Sequence, residues 1–218
     1  MKSKYFSEFL GTAFLFCTVV GSGIMGQNLS SNDSLTLLAN TLATVFALYF
    51  LITIFGDHSS HFNPVVSMVM LVRKEISTQV CTVFIILQIS GAILGVMLAN
   101  YIFELDPVYF SEKPRSGTHL FVSEILATFG LLMVILLSSK EKVAVTVAAY
   151  IGAAYWFTSS TSFANPAGTI GRSFSNTFAG ISTNDILHFC VAQIIGAFLA
   201  LFVYKTFFES QKLSLIHI

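Results

Sequence analysis

The chain has 218 residues, of which 55% are apolar and only 10% charged, and its mean hydropathy is +0.79. A water-soluble domain carries about 25% charged residues, so a soluble enzyme or binding module is a poor fit. Eleven basic and eleven acidic residues cancel, which leaves no electrostatic footprint for nucleic acid.

A helix of about 20 residues crosses a hydrocarbon core of about 30 Å. Six apolar runs approach that length, at 6–25, 35–55, 77–103, 120–137, 143–158 and 186–208. The first outruns a signal peptide, carries Glu8 and lacks a small-residue cleavage site, so it is read as a retained span. Cys17, Cys81 and Cys190 each lie inside an apolar stretch, which fits packing rather than a disulfide framework or a zinc site. No metal or cofactor is expected. Short loops rich in Lys and Arg stay in the cytoplasm. With the N-terminus inside, Lys2, Lys4, Arg73, Lys74, Lys140, Lys142, Lys205 and Lys212 gather on the inner side, against Lys113, Arg115 and Arg172 outside. Both termini are therefore expected in the cytoplasm and the long loop 104–118, with Pro107, Pro114 and Gly117, outside.

The two halves repeat the same landmarks in the same order. Glu8 and Thr12 open the first span as Glu124 and Thr128 open the fourth. Asn63-Pro64-Val65 follows the second span and Asn165-Pro166-Ala167 the fifth, while Gln88-x-x-Gly91-Ala92 in the third is matched by Gln193-x-x-Gly196-Ala197 in the sixth. Three spans per half make the second copy enter from the opposite side, an inverted repeat about an axis in the membrane plane. The expected organisation is one transmembrane domain over 1–218 built from repeats at about 1–103 and 118–218.

Between the paired spans lie short segments at about 63–73 and 165–174, each roughly 15 Å as helix and so half a bilayer deep. Asn is a good N-cap and Pro suits the first helical position, so each Asn-Pro marks a helix start near the midplane. Irregular backbone at that depth must be enclosed by protein or line a cavity. The expected fold class is thus an all-α membrane protein, with six transmembrane helices and two re-entrant half-helices in an inverted repeat. Two half-helix N-termini place roughly +0.5 charge each beside the path and disfavour cations.

On these motifs, which span nearly the whole chain, the sequence resembles the major intrinsic protein family, the aquaporins and aquaglyceroporins. The resemblance implies a homotetramer in a lipid bilayer, one pore per subunit, and passive flow of water or small neutral solutes. It also implies a pore constriction at Asn63, Pro64, Val65, Asn165, Pro166 and Ala167, with Glu8 and Glu124 as structural acceptors and His61 fixing its loop. Within the family the residue after the second Asn-Pro-Ala is usually the outer-filter arginine, but here it is Gly168. Arg172 follows one turn later and is expected in the outer vestibule; a return into the filter, or anchoring of the outer loop, are the alternatives. Counted back from the motifs, the remaining filter positions fall at Thr44 or Ala43, at Ala153 and at Ser162. All are small, which favours solutes larger than water. The stretch Tyr155-Trp156-Phe157-Thr158 through Ala164 and the missing arginine are similar to bacterial channels associated with arsenic resistance, pointing to arsenous acid beside glycerol, urea, ammonia and water. A strict water channel closed by Arg172 is one alternative, and an ion-coupled transporter another. Enzymatic activity is not expected.

Overall fold

A computed structural model describes residues 2–209 of the chain; Lys212, used above to set orientation, lies outside them. The helices in order are α1 (Lys2–Leu29), α2 (Asp33–Phe55), α3 (Pro64–Val72), α4 (Thr78–Ile102), α5 (Thr118–Leu137), α6 (Val143–Phe157), α7 (Pro166–Arg172) and α8 (Ile186–Tyr204). A 3-10 turn, Thr183–Asp185, leads into α8, and a π turn, Lys205–Glu209, ends it. Side-chain caps start several of them: Asn32 accepts from the Ser34 N–H before α2, and Ser77 from the Val80 N–H before α4.

Five of these segments are long and apolar enough to cross a membrane, α8 being counted with its flanking turns. The sixth, α6, has 15 residues and a length of only about 22 Å. Its predicted run ended at 158, but Thr158 already has extended backbone, because the chain there turns inward to build the second re-entrant loop.

The repeat is visible in the packing. Helix α1 lies along α4, and α5 along α8, while α2 packs on α6 and the half-helices α3 and α7 meet between them. The paired spans approach closely because their contact lines carry glycine. A Cβ on Gly91 would press on the Phe9 carbonyl oxygen, one on Gly95 would overlap that of Ala13, and one on Gly196 that of Ile125. Outward faces carry Phe14, Phe46, Ile86, Leu126, Trp156 and Leu187, all exposed, an apolar surface of the kind that faces lipid rather than water.

Candidate functional site

The two Asn-Pro sequences build matching turns. Asn63 and Asn165 both have extended backbone, and their Oδ1 atoms accept from Val65 N–H at 3.1 Å and Ala167 N–H at 3.0 Å. Pro64 and Pro166 occupy the first helical position, where the missing N–H costs nothing. The residues just before each Asn, Phe62 (φ 49°) and Ala164 (φ 47°), are left-handed, a strained conformation for a residue with a side chain. Each Asn then crosses to the other repeat: Asn63 Nδ2 donates to the Ala164 carbonyl and Asn165 Nδ2 to that of Phe62, both at 2.8 Å. An amide has two N–H donors, so each keeps one for the cavity that both residues line. Pro64, Val65, Pro166 and Ala167 are buried and do not line that cavity.

Glu8 and Glu124 hold these strained loops. Glu8 accepts from the backbone N–H groups of His61 and Phe62, each at 2.8 Å, from Ser59 Oγ at 2.6 Å and from Gln88 Nε2 at 2.7 Å. Glu124 accepts from Phe163 and Ala164 N–H at 2.9 Å and from Gln193 Nε2 at 2.7 Å. The two glutamines also donate to matched hydroxyls on the half-helices, Ser67 and Thr169. The glutamate and glutamine of each half therefore belong to one of two matched networks, each fully buried at its carboxyl group.

A cavity of about 170 Å³ follows the contact between the repeats, larger than the space one buried water needs. Toward the N-terminal face it is bounded by Ile52, Met70, Val143 and His61. The His61 ring faces Ser67 Oγ at 3.0 Å, while Asp57 is drawn away by Lys140 at 3.0 Å on the exposed rim. That hydrogen bond holds the Asp57 carboxyl below its ordinary range.

At the opposite end four polar groups converge. Thr44 Oγ1 lies 3.1 Å from the Tyr155 hydroxyl. Ser162 Oγ is buried without a partner among the described residues, and Arg172 reaches in from the end of α7. The structure chooses between the alternatives at positions 43 and 44 and for Arg172, and it corrects Ala153. Ala43 is off the cavity wall and Thr44 is on it. Ala153 is exposed; α6 turns Val147, Ile151 and Tyr155 inward at four-residue spacing, which puts position 153 on the other side. Arg172 is not in an open vestibule but only 4% exposed, with its guanidinium carbon 3.3 Å from the Phe163 ring centroid and its Nε donating to the Ala179 carbonyl. Those two contacts fold the side chain back over the loop, and its Nη atoms have no partner among the described residues. Gly168 is buried but contributes no wall: the ring of Phe16, which sequence reasoning passed over, stands where its side chain would be.

The long loop clamps this end. Asn100 Nδ2 donates to the Phe174 carbonyl at 2.8 Å, and Tyr109 bridges to Ser175. Arg115 Nε donates to Gly180 and its backbone N–H to Asp185, and Lys113 Nζ donates to Phe178. Burial, then repulsion from Arg115 and Arg172, pulls the Lys113 ammonium down to about 8.

The sequence pattern described as major intrinsic protein matches residues 1–204. The chain belongs to the major intrinsic protein family. It is 46% identical over 199 residues to the aquaglyceroporin AqpS of Rhizobium meliloti, covering 89% of this chain and 85% of that one. Glycerol uptake facilitator protein-like 6 of Lactiplantibacillus plantarum is 32% identical over 217 residues, 91% of this chain and 95% of that one. Among solved structures, the aquaglyceroporin from Plasmodium falciparum superposes with a TM-score of 0.73 over 96% of this chain and 98% of its own, at 20% identity. The fold is that of the aquaporins, and this major intrinsic protein is an integral membrane channel through which water or small solutes pass passively.

Proposed function

We propose that the channel conducts small neutral hydroxylated solutes, glycerol and arsenous acid among them, together with water, and that urea and ammonia share the path. The observation that carries this reading is the mixed character of the end opposite the N-terminus. Thr44, Tyr155, Ser162 and Arg172 place hydroxyls and a guanidinium on its lining, the Ser162 hydroxyl without a partner among the described residues, whereas Phe16, Val19 and Leu48 supply apolar wall. A solute with several hydroxyls on a small apolar frame satisfies both, and a hydrated cation meets a guanidinium and two half-helix N-termini instead. The likeness to an aquaglyceroporin and to a glycerol-uptake-type relative supports the same reading. In it the protein sits in a bacterial inner membrane as a homotetramer with both termini cytoplasmic, as the loop charges suggest.

A second reading has its own support. Arg172 lines the cavity, and in this reading its guanidinium closes the outer end to all but water. Stopped-flow light scattering on proteoliposomes separates the two. Glycerol re-swelling and arsenous acid entry well above protein-free vesicles support the solute channel. Fast water shrinkage with neither solute entering assigns the pore to water alone.

A further inference from the structure

We propose that Phe16, on the first span, sets the width of the outer constriction in place of the side chain that Gly168 lacks. This rests on the reading above, in which that constriction selects the solute. Phe16 is 4% exposed and lines the cavity. A Cβ on Gly168 would overlap the Cε1 and Cζ atoms of its ring, so the ring and a side chain at 168 cannot share the space. Gly168 is thus the seat of Phe16.

The inverted repeat sharpens the point. Matching Glu8 to Glu124 and Asn63 to Asn165 pairs Phe16 with Leu132 and Gly168 with Val66. In the inner half Val66 lines the cavity and Leu132, though fully buried, does not. In the outer half the arrangement is reversed: Gly168 adds no wall and the ring of Phe16 on the span lines the cavity. Width and charge are consequently set at separate levels: the ring of Phe16 stands beside Gly168, while the guanidinium comes from Arg172, about one helical turn or 6 Å further along α7. A flat apolar ring followed by a donor set favours solutes that carry hydroxyls on a compact carbon or metalloid frame, and it rejects longer polyols by size.

The test compares glycerol with ribitol, a five-carbon polyol, by re-swelling of proteoliposomes holding equal amounts of incorporated protein. Phe16→Ala is expected to raise ribitol entry about tenfold and the ribitol-to-glycerol ratio at least about threefold, since pore width governs the larger solute. Gly168→Val is expected to cut glycerol entry about tenfold, and adding Phe16→Ala to it should restore entry to within about threefold of the original, the signature of two groups competing for one space. An unchanged ribitol-to-glycerol ratio in Phe16→Ala, or a double variant no faster than Gly168→Val, overturns the proposal. Should Phe16→Ala fail to incorporate, Phe16→Leu carries the test, with a ribitol rise of about threefold expected and no rise overturning it. Arg172→Met in the same vesicles separates the two failures. If it alters discrimination and the Phe16 variants do not, only the assignment of Phe16 falls; if none alters it, the outer constriction is not the selective step.

Discussion

Replacing Glu124 by Gln is expected to loosen the second re-entrant loop, and the cost follows from its bonds. One carboxyl oxygen accepts from Phe163 N–H and the other from Ala164 N–H and Gln193 Nε2. An amide must put its NH2 in place of one oxygen, so at least one buried backbone N–H faces another donor. A hydrogen bond to a charged group contributes about 1.5–3 kcal/mol, and an orphaned buried donor costs about 1–3 kcal/mol more. The loop has little reserve, because Thr161, Ser162 and Ala164 are all left-handed. A loss of roughly 3–5 kcal/mol corresponds to a fall of about 10 °C in Tm for a chain of this size. Thermal unfolding of purified protein in detergent measures it, and Glu8→Gln, with four donors to satisfy, should fall at least as far. If both variants melt within about 2 °C of the original while flux disappears, the carboxyl groups act on the permeating species and the structural account of them is wrong.

Arg172→Met removes the guanidinium at similar length. Losing one charge-assisted bond to a passing hydroxyl, about 1.5 kcal/mol, should lower the glycerol-to-water flux ratio about tenfold; an unchanged ratio in stopped-flow traces counts against Arg172 as a donor to solute. Gly95→Ala puts a Cβ against the Ala13 carbonyl and should cost about 1–3 kcal/mol by forcing α1 from α4, seen as a lower Tm; an unaltered Tm means the two spans can give way freely. Lys113 supplies a pH test. Folded, it gives up its proton near 8, whereas the unfolded lysine holds it to 10.5. Between those values the unfolded state binds more protons, so stability should rise with pH across that window. Lys113→Met should flatten the rise when Tm is measured from pH 7 to 11, and an equal slope in both proteins refutes the assignment.

Much of the fold was legible because membrane burial leaves a strong local signal. Long apolar runs gave the spans, and each Asn-Pro gave a half-helix start within a residue, since cap and first-turn chemistry are properties of adjacent residues. Glu8, Glu124, Gln88 and Gln193 were readable as pairs because the repeat showed them twice. The outer end was harder. Ala153 came from counting back from Asn165 at fixed loop length, but three left-handed residues between them reroute the chain and bring Tyr155 round instead. Arg172 was placed by extending α7 as an ideal helix, whereas α7 stops at that residue and the side chain answers to Phe163 and Ala179. Phe16 left no local trace at all: its place beside the cavity depends on Gly168, 152 positions away in the sequence, having no side chain.

The central claim is passive conduction of a neutral solute between the repeats, past Asn63 and Asn165. Its most direct test is the initial rate of glycerol entry into proteoliposomes as the imposed gradient is raised, with and without proton and sodium gradients. The account predicts a rate that rises linearly with the gradient and ignores both ions. Entry that saturates, or that collapses when an ion gradient is removed, would contradict it and make this fold a coupled transporter.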